Sequence, residues 1–215
     1  MKTLDRLIDS GVVAVIRKAT PDTIIPIAKA LSAGGVKGIE ITVETPGALA
    51  VIEKAAKELG DDDAIVGAGT VLDAETARMA LMAGAKFVFS PTVNVETIKM
   101  TKRYGAVCVA GAFTPTEILT AYENGSDLIK VFPASVVGPR FFKDVRGPLP
   151  QIPLMPTGGI DVDNVGEYIK NGAVAVGAGS TLVKATDNAD EAYCKALTEK
   201  AKQFVAEVKK ARGLA

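Results

Sequence analysis

Short apolar runs rich in β-branched residues recur along the chain. Between them the apolar positions fall three and four apart, the spacing of a helix with one buried face. The runs predict strands at Val12–Arg17, Gly38–Val43, Ala64–Val71, Lys86–Pro91, Ala106–Phe113, Leu128–Ala134, Pro153–Gly159 and Ala173–Ser180. The periodic segments predict helices near Pro21–Ala33, Gly47–Leu59, Ala74–Ala83, Val95–Tyr104, Pro115–Asn124, Pro139–Val145, Asp163–Asn171 and Asp190–Arg212. Gly, Pro, Asp and Thr fill the brief connections, as turns require. An amphipathic segment before the first strand adds a short N-terminal helix.

Each strand is followed by one helix, and composition does not break anywhere along the chain. Right-handed crossovers return such a chain to the next parallel strand, so the pattern predicts a closed (β/α)8 TIM barrel of the α/β class. A single domain would span residues 1–215. An open doubly wound sheet is the alternative, but no GxGxxG stands at a first strand-to-helix turn. The glycine-rich turns come late, after the seventh and eighth strands, where barrels hold phosphate. At 215 residues the chain is short of the roughly 250 typical of this fold, which leaves no room for a lid. A neighbouring subunit is expected to help shield the site.

Charge adds little to this picture: 25 basic and 25 acidic residues balance, with no like-charged block beyond Asp61–Asp63. That gives no footprint for nucleic acid or an anionic membrane and points to a small-molecule partner. Val12–Ile16 is too short for a signal-peptide core or a membrane span, so a cytoplasmic protein is expected. Cys108 and Cys194 lack CxxC spacing and read as idle thiols. The chain has no histidine, which removes the commonest general base and zinc ligand together. Acid–base chemistry then falls to Glu, Asp, Lys, Tyr or water, and no carboxylate cluster suggests a magnesium site, so neither metal nor cofactor is expected.

Alternation along the sixth strand puts Leu128, Lys130 and Phe132 on one face and Ile129 and Val131 on the other. A lysine centred among bulky apolar residues is discouraged from carrying charge, which suits an amine that attacks a ketone. The other reading is a lysine at the barrel mouth paired with a carboxylate. On the second strand Glu40, Thr42 and Glu44 alternate with Ile39, Ile41 and Val43, so both glutamates are expected to point into the barrel. Glu40, deepest in the strand, suits a general acid/base, or else an ion-pair partner of Lys130 or Arg17. Arg17 ends the first strand, where a guanidinium can hold a carboxylate or lie on the surface. The glycines of Gly67-Ala68-Gly69-Thr70 would let a planar ligand approach the backbone, with the Thr70 hydroxyl at hand. Thr157-Gly158-Gly159 and Gly177-Ala178-Gly179-Ser180 both precede helix-forming sequence and suit an anion, or serve as tight turns.

Several multi-residue stretches together resemble the 2-keto-3-deoxy-6-phosphogluconate / 4-hydroxy-2-oxoglutarate aldolases of the Entner–Doudoroff pathway and related routes. They are Ala28-Lys29-Ala30-Leu31 with Gly34-Gly35-Val36, Ile39-Glu40-Ile41-Thr42, Val66-Gly67-Ala68-Gly69-Thr70-Val71, Ser90-Pro91, Lys130-Val131-Phe132-Pro133-Ala134, Pro156-Thr157-Gly158-Gly159-Ile160 and Gly179-Ser180. The resemblance runs nearly the whole chain. It implies a metal-independent class I lyase, typically a homotrimer, in which Lys130 forms an imine and Glu40 shuttles protons. It also implies that Thr70, Pro91 and Phe132 line the pyruvate end. Thr157, Gly158, Gly159, Gly179 and Ser180 would hold a phosphate or distal carboxylate.

One position departs from that pattern: Glu44 stands where well-known members carry an arginine for the substrate carboxylate. Arg17 is the substitute expected at the pyruvate end, with Glu44 as its partner. Competing readings are a phosphate-binding barrel isomerase or epimerase and a noncatalytic scaffold on the same barrel.

Overall fold

The computed structural model describes residues 3–60 and 63–214; Asp61 and Asp62 of the acidic run, and the ends of the expected domain, lie outside the described residues. Helix α1 (Thr3–Ser10) precedes β1 (Val12–Ile16), and strands and helices then alternate. They run α2 (Ile24–Ala33), β2 (Gly38–Thr42), α3 (Ala48–Glu58), β3 (Ile65–Gly69), α4 (Ala74–Met82), β4 (Phe87–Phe89), α5 (Val95–Arg103) and β5 (Val107–Ala112). The chain continues through α6 (Pro115–Glu123), β6 (Leu128–Val131), α7 (Ala134–Arg146), β7 (Leu154–Pro156), α8 (Val165–Lys170), β8 (Val176–Ala178) and α9 (Glu191–Ala211).

All eight strands pair in parallel, from β7 through β1 to β8, and a parallel bridge between Thr157 and Gly177 brings the two ends together. The result is a single-domain (β/α)8 barrel. Two apolar cores stabilise it. The larger lies between the sheet and the helices and takes Ile39, Ile41, Ala68, Val88, Ile129 and Val131 from the outward strand faces. The second fills the barrel with Val13, Ile65, Phe87, Phe89, Val107, Val109, Leu128 and Met155, and Leu7 of α1 joins it. Two-residue alternation therefore sorts side chains between two dry compartments.

The strands are shorter than the apolar runs suggest, chiefly at their C-terminal ends, where the chain leaves the ladder to build the site. At β6 the run extends to Ala134, but the ladder ends at Val131 and α7 starts at Ala134. That helix is longer than expected and broken at Gly138, whose φ of 71° and ψ of 173° are not helical. Pro139 tolerates this because it opens the second segment, where no N–H is required. At the opposite end of the barrel Arg212 bonds three carbonyls, those of Ile8, Asp9 and Val174, tying the end of α9 to α1. Among the described residues no helix is long and apolar enough to cross a membrane.

Candidate active site

Lys130 and Glu40 meet inside the barrel, above the apolar filling. Glu40 is fully buried and Lys130 is 5% exposed. Their closest approach, Nζ to Oε1, is 3.8 Å, too long for a hydrogen bond. Neither carboxylate oxygen of Glu40 accepts a hydrogen bond. Burial raises the Glu40 pKa above the usual glutamate value, opposed first by the nearby Lys130 and then by Arg17. Two rings flank the amine, Phe132 with its centroid 5.3 Å away and Phe89 at 5.7 Å. A buried carboxyl thus stands beside a buried amine, and both can still engage a third polar group.

Glycines on inward-facing positions create this space. A Cβ at Gly69 would collide with the Glu40 carboxylate, and one at Gly67 with the Phe87 ring. The sequence suggests that a ligand approaches the backbone at these two glycines; the structure fills both gaps with the protein's own side chains. Gly111 likewise admits the backbone of Pro91, and Gly177 admits the Thr157 hydroxyl. Interior glycines of a strand commonly mark such close approach. Phe89 was not a candidate from the sequence, where an aromatic in an apolar strand reads as core.

Thr70, just past β3, has a φ of 58°, a conformation costly for a β-branched residue and concentrated at functional sites. Phe132 is set by the chain on both sides of it. Its N–H bonds the Ala112 carbonyl at 3.1 Å, and Ala134 and Ser135 donate to the carbonyls of Thr157 and Gly158. Consecutive left-handed residues Gly158 (φ 95°) and Gly159 (φ 76°) form the turn after β7, a backbone form suited to anions. Thr157 is buried and its Oγ1 has no hydrogen-bond partner. After β8 no α-helix begins. The N–H groups of Leu182 and Val183 return to the Gly179 carbonyl in one turn, and α9 waits until Glu191. The helix-forming composition after Gly179 is not realised, so any anion there meets turn amides and Ser180, not a helix end.

The expectation for Glu44 needs correction. β2 ends at Thr42, so alternation no longer governs Glu44, which lies at the mouth, 41% exposed, with Oε1 2.6 Å from Arg17 Nη1. The neighbouring loops meet again where Lys18 N–H donates to Thr45 Oγ1. Arg17 lines a cavity of about 140 Å³ with Val15, Phe132, Thr157, Gly158, Gly159, Gly179, Ser180 and Thr181. Its companions are therefore the two late turns, whereas Thr70 and Pro91 are not part of that lining. Pro91 lies across Phe132, on a second cavity of about 280 Å³ shared with Gly111, Phe113 and Pro133. The thiols are free; Cys108 is buried, which pushes it up to about 12.

The sequence model of the KDPG and KHG aldolase family matches residues 4–197. A 2-dehydro-3-deoxy-phosphogluconate aldolase of Pseudoalteromonas atlantica is 38% identical over 184 residues, covering 85% of this chain and 84% of that protein. A KHG/KDPG aldolase of Escherichia coli is 35% identical over 175 residues, with 81% of each chain covered. Among solved structures, the KDPG aldolase of Legionella pneumophila, with pyruvate captured as a covalent carbinolamine, superposes with a TM-score of 0.83. It is 28% identical, over 93% of this chain and 96% of that one.

Proposed function

The chain belongs to the KDPG and KHG aldolase family, and from that premise we propose a class I mechanism in which Lys130 is the nucleophile and Glu40 carries the protons. The protein is a carbon–carbon lyase. One observation carries the residue roles: a buried amine 3.8 Å from a buried carboxylate whose oxygens accept no hydrogen bond.

The amine of Lys130 in its neutral form attacks the 2-keto carbon, giving a carbinolamine. Loss of water yields the protonated imine, which withdraws electrons from the adjacent carbon. Glu40 then takes the C4 hydroxyl proton, the C3–C4 bond breaks, and its electron pair flows into the imine to leave an enamine. The aldehyde departs, C3 of the enamine takes a proton, and hydrolysis frees pyruvate and the amine. Burial raises the Glu40 pKa above the usual glutamate value, the direction that favours a carboxyl that both gives and takes a proton. The captured carbinolamine of the Legionella relative supports the same opening step.

Thr70, Pro91 and Phe132 are assigned to the pyruvate end. Thr157, Gly158, Gly159, Gly179 and Ser180 are assigned to the far end of the substrate, and we assign Arg17 there as well, in place of the pyruvate end, because it lines one cavity with those turns. Substrates of this class are 2-keto-3-deoxy-6-phosphogluconate, giving glyceraldehyde 3-phosphate, and 4-hydroxy-2-oxoglutarate, giving glyoxylate. No metal or cofactor enters the steps. A homotrimer in the cytoplasm is the proposed setting; exposed Met79 and Met82, one turn apart on α4, are apolar surface that a second copy would cover. Reduction with borohydride in the presence of pyruvate should add a reduced pyruvyl mass to the tryptic peptide holding Lys130. Labelling of another lysine would refute the assignment.

A further inference from the structure

We infer that Glu44 is a specificity-determining residue. By holding Arg17 it disfavours substrates whose distal end carries two negative charges and favours those carrying one or none. This rests on the aldolase reading of the site.

Arg17 is the only charged side chain among the residues lining the distal cavity; the rest are Val, Phe, Thr, Ser and Gly. Side-chain cationic charge in that lining therefore comes from one guanidinium, and Glu44 sits on it at 2.6 Å. The turn amides of Gly158 and Gly159 offer partial positive charge to any anion, and the Glu44 carboxylate pairs with Arg17 and not with them. A phosphate dianion must either pull Arg17 away from Glu44 or bind with a carboxylate on the far side of the same guanidinium. A carboxylate or hydroxyl faces a smaller repulsion or none.

Fold stability is a poor explanation for the pair. Its side chains are 55% and 41% exposed, and ion pairs so exposed contribute little. A neutral variant at this position is therefore expected to fold. One extra unit of substrate charge, held ~6 Å from the carboxylate at an effective dielectric between that of a protein surface and that of water, corresponds to roughly a three- to hundredfold change in binding.

The experiment compares kcat/KM for 2-keto-3-deoxy-6-phosphogluconate and 4-hydroxy-2-oxoglutarate in the wild type and in Glu44→Gln, with borohydride trapping of pyruvate run on both proteins. The wild type should cleave 4-hydroxy-2-oxoglutarate with the higher kcat/KM. Glu44→Gln should raise the phosphorylated-to-unphosphorylated ratio about tenfold, through a lower KM for the phosphorylated acid. A ratio unchanged within about twofold, a change confined to kcat, or a wild type that prefers the phosphorylated acid overturns the inference. If Lys130 still traps pyruvate in that case, the aldolase reading stands and only the role of Glu44 falls. Loss of trapping in the wild type would overturn both.

Discussion

The lower and upper parts of the barrel interior are built from the same strand faces, yet they hold opposite chemistry. Below, Val13, Ile65, Phe87, Val107 and Leu128 pack with Leu7 into a dry plug. Above, the next inward positions carry Gly67, Gly69, Glu40, Gly111, Lys130 and Thr157, and burial is as deep for Glu40 as for Phe87. The difference teaches that depth alone does not make a core. The lower layer is stabilised by apolar burial, whereas the upper layer keeps a carboxylate without hydrogen bonds and a strained Thr70, both costs to stability. Barrels concentrate function at the C-terminal ends of their strands for the same reason: the plug below supplies the stability that the site above gives up.

That division can be tested from either side. The largest effect is expected above: Glu40→Gln should lower kcat for aldol cleavage by about 10²–10⁴-fold, read as pyruvate release in a coupled assay. Phe87→Ala, in the plug, should instead destabilise the fold by about 3–5 kcal/mol, measured by denaturant unfolding, while borohydride still traps pyruvate on Lys130. Equal loss of stability from both substitutions would erase the distinction. The smallest effect should run the opposite way. Replacing both members of the buried pair with apolar residues, Lys130→Met with Glu40→Leu, should raise stability by about 1–4 kcal/mol with activity abolished.

The pH dependence of that gain follows from Glu40. Burial raises its folded-state pKa, so between the ordinary glutamate value and the raised one the native protein binds more protons than the unfolded chain. Wild-type stability therefore falls as pH increases through that window. The double variant should lack this decline, and its advantage over the wild type should be greater at the upper end of the window than below it. Unfolding curves across pH would show parallel slopes for the two proteins if the Glu40 assignment were wrong.

Much of the site was legible because alternation is a local property. Lys130 and Glu40 could be placed on inward faces from their own strands, since neighbours in a strand point opposite ways whatever the fold does next. The anion-suited turn Thr157-Gly158-Gly159 was legible from its glycines, whereas Phe132 entered the site only through the family resemblance. Local reasoning failed where the chain left the ladder. Glu44 kept the right parity on paper, but the strand stops at Thr42 and the residue turns out to the rim. The composition after Gly179 suggested a helix that the chain does not form there.

The sequence by itself determined the eight-unit barrel, the buried lysine and glutamate, and the family to which the chain belongs. Only the tertiary structure decided what those residues touch. Gly69 makes room for the Glu40 carboxylate from the neighbouring strand, Phe89 flanks the amine from two strands away, and Arg17 joins the late turns through barrel closure. Each contact depends on strand register and closure, which set the heights at which side chains from separate strands meet. A two-residue period states which way a side chain faces, but carries no information about what stands opposite it.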